Sequence, residues 1–282
     1  MFKSNLRATA ASSNEIGLFW DNESASTTDF VVERRDPGGG FEPIPGPDSP
    51  VSGTTFQDLN NLDEGTRYEY RVSAVVVNGV ENEVAQPVKS APSAIASATT
   101  FSVAFAAPPE TLTTLGNELP NVGFCLVQRL SQTLLAASGT TQVRILLRGP
   151  NMGSLTLDRV TISKAADSQP GATGTEDPYD AAPDLTVVAS GVTIAANTTR
   201  IVGPVNYALD ATQDLLVAFD ISNISNMPGD GNVRFGPLTD AHAFSNPNPN
   251  PGTPEAGVQD RTANYANDAP GTLVLIEKIE VL

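Results

Sequence analysis

Hydrophobic and polar residues alternate with a period of two along short stretches of the N-terminal third of the chain. These stretches lie at residues 15–20, 30–35 and 68–74, and each places its apolar side chains on one face, as a half-buried strand does. Clusters rich in Gly, Pro and Asp separate them, at residues 36–40 and 45–48. No helical period of useful length interrupts the alternation. The pattern predicts about six or seven short antiparallel strands that form a β-sandwich.

A set of specific residues within this region adds to the pattern. Trp20 lies on an early strand, and a later stretch follows the order L-x-x-G-T-x-Y-x-x-R-V-x-A. The residues of this stretch are Leu62, Gly65, Thr66, Tyr68, Arg71, Val72 and Ala74. With these residues, positions 1–91 resemble a fibronectin type III domain. The resemblance implies a sandwich with Trp20 and Leu62 in its core, and a tyrosine corner in which the Tyr68 hydroxyl bonds to the backbone.

The same resemblance bears on function. Most fibronectin type III domains are spacers or recognition platforms, and few carry chemistry. The sequence contains no Arg-Gly-Asp triplet, so integrin binding is not implied. Residues 92–100 follow this region and are small and punctuated by proline, so we expect a linker of limited flexibility there.

Residues 101–282 again lack helical periodicity and predict a second, larger all-β domain. The region contains about nine or ten predicted strands, which is typical of a jelly-roll-like β-sandwich. The predicted strands are 101–105, 122–128, 141–147, 155–163, 185–189, 199–208, 215–221, 233–235 and 272–281. The last of these is strand-like to the end of the chain, so we expect it to lie inside a sheet; its apolar face would otherwise be an exposed edge that invites pairing or oligomerisation.

Part of the second domain also resembles known folds. Residues 192–200 and 204–217 form a strand–turn–strand–turn–strand pattern with a polar turn before an Asp-Leu strand. This pattern is similar to units in the accessory β-sandwiches of carbohydrate-active proteins and in phage structural proteins. The resemblance implies a fold more than an activity.

Composition limits the range of partners. The 282 residues are comfortable for two domains, and 40% of them are hydrophobic, which is enough for two cores. The chain has 16 Lys and Arg against 32 Asp and Glu, a net charge of −16. We therefore expect neither a nucleic acid nor an anionic membrane surface as a partner, because both require clustered basic residues.

The single cysteine and the single histidine limit the chemistry. Cys125 lies in an apolar run, which favours a small core residue over a nucleophile, and His242 lies in a stretch that reads as a polar loop. One copy of each excludes an intrachain disulfide and a zinc site built from Cys and His. We accordingly predict no catalytic residue, no cofactor and no metal ligand, and we expect the chain not to be an enzyme.

Two long irregular segments, 165–183 and 239–271, fall in the second domain, and segments of this length are often functional. Their aromatic residues Tyr179, Phe244 and Tyr265 are the candidates for contacting a sugar or a protein partner. The competing interpretation is that these rings anchor the loops to the body of the domain.

Carboxylates cluster in two regions, around Asp177, Asp180 and Asp184, and around Asp210, Asp214 and Asp220. Neither has the spacing of a calcium-binding loop, so solvated turn carboxylates are favoured over structural calcium. A pair of carboxyl groups in a cleft would suit glycoside hydrolysis, but a single sequence does not reveal such a pairing.

The N-terminus lacks the apolar core of a signal peptide, and no run of apolar residues is long enough to span a membrane. Two β-sandwiches of extracellular type, made in the cytoplasm without disulfides, are typical of phage particles released by lysis. The leading hypothesis is a non-enzymatic virion structural protein, either a capsid decoration, a head fibre or a tail component. It would bind other virion proteins, form homo-oligomers and display a surface for host glycans. A cellular carbohydrate-binding protein and a glycoside hydrolase or lyase are the alternatives.

Overall fold

The computed structural model divides the chain into two compact units, unit 1 (Met1–Ser102) and unit 2 (Val103–Val281). Its regular structure is β-strand, apart from a single turn of 3-10 helix at Gln132–Leu134 in the described part of the chain. The prediction of an all-β protein is confirmed. The structure describes residues 5–22, 29–44, 50–77, 87–109, 111–112, 125–165, 184–221, 233–246 and 267–282.

Unit 1 contains two facing sheets. One sheet has the order β1-β2-β6 and the other the order β4-β3-β7-β8, with β5 paired to β3 and β9 paired to β7. The strands are β1 (Arg7–Ser12), β2 (Glu15–Phe19), β3 (Asp29–Arg35), β4 (Phe41–Ile44), β5 (Val51–Ser52), β6 (Thr55–Asp58), β7 (Arg67–Val77), β8 (Pro87–Lys89) and β9 (Ala96–Thr99).

The core of unit 1 comes from the alternation that the sequence shows. Ile16 and Leu18 on β2 face Phe30 and Val32 on β3, and all four are fully buried. Trp20 fills the space beside them, with its ring edge-on to Phe30 at a centroid distance of 5.4 Å. Such an edge-to-face pair adds to the stabilisation from burial alone.

Residues 92–100, predicted as a linker, belong instead to unit 1. β9 pairs with β7 from Arg67↔Thr99 to Tyr70↔Ala96, so the chain is part of the sheet there. Between β8 and β9 the hydroxyls of Ser90 and Ser93 accept hydrogen bonds from the backbone of β7. Small and proline residues therefore mark an interrupted edge strand rather than a free connection.

Unit 2 contains a four-stranded sheet, β10-β19-β12-β15, and a six-stranded sheet, β14-β13-β16-β11-β17-β18. Every pair of neighbouring strands with an assigned register is antiparallel. The strands are β10 (Ser102–Ala106), β11 (Cys125–Leu130), β12 (Gln142–Arg148), β13 (Ser154–Lys164), β14 (Thr186–Ala195), β15 (Thr199–Asn206), β16 (Leu215–Asp220), β17 (Phe235–Asn246), β18 (Asn267–Val274) and β19 (Ile276–Val281).

The chain passes repeatedly between these two sheets. It alternates sheets from β10 to β13, returns to the four-stranded sheet at β15, and ends there at β19. The hairpin of β17 and β18 adds two strands to the six-stranded sheet beyond β11. β19 lies between β10 and β12, so the last strand is an inner strand of its sheet, as the sequence predicts.

The main core of unit 2 lies between the sheets. On β12, Val143, Ile145 and Leu147 point inward and are fully buried, as the alternation predicts. The stretch predicted as one strand at 272–281 is two strands, β18 and β19, because Leu275 has a positive φ of 58° and breaks it. Its side chain is nevertheless buried in the core.

Candidate functional site

The outer face of the β3–β4–β7 part of unit 1 carries a ladder of charged side chains. Arg35 lies directly opposite Glu69, and Glu33 lies directly opposite Arg71. Arg35 Nε donates to Glu69 Oε2 at 2.6 Å, and Arg71 Nε donates to Glu33 Oε2 at 2.7 Å. Arg67 lies one step further along β7 and is 3.5 Å from Glu69.

An aromatic ring organises two of these arginines. The guanidinium carbon of Arg71 lies 4.3 Å from the centre of the Phe41 ring, and that of Arg35 lies 4.8 Å from it. Both distances are within cation–π range. We call Arg35, Arg67 and Arg71, with the carboxylates and the ring that hold them, the arginine face.

The charges of the arginine face are not equally exposed. The side chains of Arg71, Arg35 and Arg67 are 31%, 40% and 65% exposed, whereas those of Glu33 and Glu69 are only 15% and 20% exposed. The carboxylates therefore lie beneath the guanidinium groups. As a result, the face presents positive charge to solvent in a strongly acidic chain.

A second group of charges lies inside unit 1. Asp58, at the end of β6, is fully buried and accepts hydrogen bonds from Arg34 Nη1 at 3.0 Å and from the Tyr70 hydroxyl at 2.9 Å. Arg34 also binds Asp36, with Nε 2.6 Å from Oδ1. This group ties β3, β6 and β7 together, which indicates a role in folding.

The buried group changes two pKa values. Burial raises the pKa of Tyr70 far above its ordinary value, and the negative charge of Asp58 raises it further. Burial lowers the pKa of Arg34, but hydrogen bonds to Asp36 and Asp58 outweigh this effect, so that its net pKa is raised. Tyr70 is therefore a neutral donor and Arg34 a permanent cation around the Asp58 carboxylate.

The structure places Trp20, Leu62 and Tyr68 in the core of unit 1. The Tyr68 hydroxyl accepts a hydrogen bond from the backbone N–H of Asp63 at 2.7 Å. This is the geometry of a tyrosine corner, in which the ring fills the core and the hydroxyl satisfies a nearby backbone group.

Phe244 in unit 2 differs from its prediction as a loop aromatic. It lies on β17, is 4% exposed, and stacks on His242 with ring centres 4.3 Å apart. Both rings belong to the strand because residues 241–246 pair with β11 along its whole length. Tyr179 and Tyr265, the other two candidates, lie outside the described residues.

Phe244 instead belongs to a small apolar cluster on the six-stranded sheet, separate from the main core. Cys125 is another member and is buried, in keeping with a structural role. The other members are Val127, Leu216 and Ala218. β11 and β16 have buried residues on both faces, and the sequence of β16 is accordingly almost continuously apolar.

Gln128 holds the irregular part of the β17–β18 hairpin. The pairing of β17 and β18 shifts between Pro237 and His242. The buried side chain of Gln128 accepts from the backbone N–H of Val274 at 2.8 Å and donates to the carbonyls of His242 and Thr272, each at 3.1 Å. Its amide thus replaces ladder hydrogen bonds that the shift removes.

Exposed or half-buried carboxylates gather at one end of unit 2. Asp214 accepts from Arg129 and from the backbone of Gln132, and Asp240 accepts from the adjacent Thr133. Asp184 accepts a hydrogen bond from the backbone N–H of Lys164. The backbone N–H of the next residue, Ala165, donates to the carbonyl of Asp214. Asp210 lies in the turn that precedes Asp214. We call Asp184, Asp210, Asp214 and Asp240 the acidic end.

The predicted carboxylate clusters are only partly brought together. Asp184, Asp210 and Asp214 fall at the acidic end, whereas Asp220 is a buried residue of β16, and Asp177 and Asp180 lie outside the described residues. Hydrogen bonds from the Thr212 side chain and backbone lower the pKa of Asp210. In the part of the chain that the structure describes, no group of three or more Asp, Glu, His or Cys residues could hold a metal ion.

One family comparison gives a match. Residues 4–91 match the family model of the fibronectin type III domain. These residues form a fibronectin type III domain. The structure extends the sheet of this domain to Thr99, because β9 completes the edge beside β7. No curated protein matches the chain. In the described ranges, no helix is long and apolar enough to cross a membrane.

Sequence reasoning missed the arginine face of the fibronectin type III domain. The signal was present, because Glu33 and Arg35 alternate on one strand and Glu69 and Arg71 alternate on another. Their pairing depends on the β3–β7 register, which aligns Glu33 with Arg71 and Arg35 with Glu69. The acidic end had a weaker signal, since Asp240 is far from Asp210 and Asp214 along the chain.

Proposed function

We propose that the protein is a non-enzymatic structural component of a bacteriophage or phage-like particle. One unit would attach the chain to capsid or tail proteins, and the other would remain on the outside, available to a host glycan. This role includes a capsid decoration, a head fibre or a tail component. The protein would then reside in the virion after synthesis in the host cytoplasm.

The arrangement of the buried charges carries this proposal. Asp58 in unit 1 is tied to Arg34, and in unit 2 Arg129 is tied to Asp214, with Nη2 and Oδ2 2.9 Å apart. Arg144 on β12 is likewise tied to Glu280 on β19, with Nε 2.6 Å from Oε2. Each of these bonds joins strands or turns within one unit, so these charges are used inside the fold and not in an open cleft. Rigid scaffolds built in this way suit attachment rather than chemistry.

We further infer that unit 2 is a jelly-roll-like sandwich with one inserted hairpin. The order β10-β19-β12-β15 facing β14-β13-β16-β11 supports this inference, because it is the order expected when two Greek keys are wound between two four-stranded sheets. β17 and β18 would then be an insertion before the last strand. Accessory sandwiches of this kind are the resemblance on which the particle hypothesis rests.

The test is the protein composition of particles. Particles purified from a lysate by density gradient are analysed by quantitative mass spectrometry, with a major capsid protein as the internal reference. The proposal predicts a constant, stoichiometric ratio of this chain to the capsid protein across the particle peak. A chain that stays in the soluble fraction rejects the particle role, and turnover of a bacterial polysaccharide by the purified chain rejects the non-enzymatic one.

A further inference from the structure

The arginine face offers hydrogen-bond donors that no acceptor in the described part of the chain uses. The bonds of Arg35 and Arg71 to their carboxylates go through Nε and Nη2, and Arg67 uses Nη2 toward Ser97 and Glu69. Among the described residues, the Nη1 groups of all three arginines therefore donate to no protein acceptor. The carboxylates and the Phe41 ring already fix the guanidinium groups, so little side-chain entropy remains to be lost on binding.

The arginine face is a local concentration of positive charge in an otherwise acidic chain. Residues 1–98 contain 14 acidic and seven basic residues, and three of those seven bases are on the arginine face. The rest of the chain is acidic as well. A guanidinium N–H forms a strong, charge-assisted hydrogen bond to a carboxylate.

Unit 2 presents such carboxylates at its acidic end. Asp210 and Asp240 are exposed there, and Asp184 and Asp214 are half-buried. The bonds from Thr212 that lower the pKa of Asp210 keep that carboxylate charged at neutral and mildly acidic pH. Lys164 and Arg129 lie at the same end, and Arg129 is paired with Asp214, so the four carboxylates leave a net negative charge there. A second copy of the chain therefore brings a surface whose net charge is opposite to that of the arginine face.

We propose that the arginine face of one copy docks on the acidic end of a second copy. The contact joins a fibronectin type III domain to unit 2 of another molecule, so two different surfaces meet rather than two identical ones. It is electrostatic and depends on salt, because the Debye length falls from about 10 Å at 0.1 M to about 3 Å at 1 M. This surface assignment does not depend on the particle role.

The first experiment is sedimentation velocity of the full chain. At about 50 mM NaCl, we expect species of at least twice the 29.5 kDa monomer mass, and at about 0.5 M NaCl we expect the monomer. A monomer at both salt concentrations overturns the proposal. So does a monomer that binds alginate or polyglutamate, because the arginine face would then serve a different anionic partner.

Variants assign the two surfaces. The triple change Arg35→Gln, Arg67→Gln and Arg71→Gln should weaken self-association about tenfold or more. Arg67→Gln alone should also weaken self-association, and its matched control is Arg7→Gln, which removes an equally exposed arginine from the other sheet of the same domain and should leave self-association unchanged. Equal effects of the triple change and the control overturn the assignment. Thermal unfolding of every variant checks that the domain still folds. If the triple variant does not fold, the single variant Arg67→Gln takes its place in the comparison.

Mixing provides the decisive test. Asp210→Asn with Asp240→Asn removes charge from the acidic end, and asparagine tolerates the positive φ of 65° at residue 240. This variant and the arginine variant should each be monomeric when alone. Mixed together, they retain one intact pair of surfaces and should form a complex containing one copy of each. Failure to form that complex overturns the head-to-tail contact even if both variants are monomeric.

Discussion

Because Tyr70 is buried, we expect the fibronectin type III domain to lose stability as the pH rises into the alkaline range. Tyr70 is fully buried, and burial beside Asp58 holds its pKa far above the ordinary value of about 10. In the unfolded chain Tyr70 loses its proton near pH 10, whereas in the folded domain it retains it. The unfolded state therefore binds fewer protons above pH 10, and the free energy of unfolding falls as the pH rises.

The size of this effect follows from proton linkage. One proton held only by the folded state costs about 1.4 kcal/mol of stability per pH unit, so the loss between pH 10 and pH 11.5 is about 2 kcal/mol. Below about pH 10, Tyr70 is protonated in both the folded and the unfolded state, so none of this stability is lost. Tyr70→Phe removes this dependence, but it also removes a hydrogen bond to Asp58, which costs about 1–2 kcal/mol at pH 7. The stability difference between the variant and the parent should shrink as the pH rises.

Trp20 makes the measurement specific. It is the only tryptophan in the chain and lies in the core of the fibronectin type III domain, so the emission maximum reports the unfolding of this domain alone. Urea unfolding of the full-length parent and of Tyr70→Phe is followed at several values between pH 8 and about pH 11.5. Parallel pH dependences for the two proteins would refute the buried, neutral Tyr70 and its pairing with Asp58.

Three further substitutions test the local contacts. Tyr68→Phe leaves the Asp63 N–H without its acceptor and should lower the stability of the fibronectin type III domain by about 1–3 kcal/mol in urea unfolding followed by Trp20 emission; an unchanged midpoint contradicts the corner. Gln128→Leu should lower the stability of unit 2 by about 2–3 kcal/mol in calorimetry, because buried backbone groups of the β17–β18 hairpin lose their partners; a stabilised unit 2 contradicts the role of the amide. Gly236→Ala places a Cβ onto the carbonyl oxygen of Thr111 and should cost about 3 kcal/mol or more, whereas a neutral effect in the same calorimetry would show that this close approach is absent.

Local patterns were enough to predict the core of the first domain. Trp20 directly follows the alternating strand β2, Tyr68 lies in the alternating strand β7, and the spacing of the residues around Tyr68 is distinctive. On β12 the alternation of Val143, Ile145 and Leu147 likewise identified the buried face. In these regions the period of two directly records which side of the sheet is buried.

The lack of a local hydrophobic pattern explains most of the differences. Phe244 belongs to a hairpin whose second strand begins only at Asn267, and the Asn-Pro-rich stretch between them made the whole region read as a loop. The small residues of β9 carry no hydrophobic alternation, so the sequence predicts a linker at residues 92–100, whereas in the structure β9 pairs with β7. Neither pairing has a local signal in the sequence.

The sequence shows the alternating charges of the arginine face but not how they pair. The arginine face depends on the register between β3 and β7, and a shift of one residue would turn Glu33 and Arg35 to the opposite face. At the acidic end, the adjacent residues Gln132 and Thr133 bring Asp214 and Asp240 together. Composition alone showed only that the chain is acidic.

The attachment role is tested most directly by rebinding. The purified full-length chain is added in increasing amounts to particles produced without its gene, the particles are sedimented, and the bound chain is quantified. The account predicts saturable binding at a fixed number of copies per particle, matching the number found on complete particles. Binding that does not saturate, or no sedimentation of the chain with the particles, would contradict the attachment role.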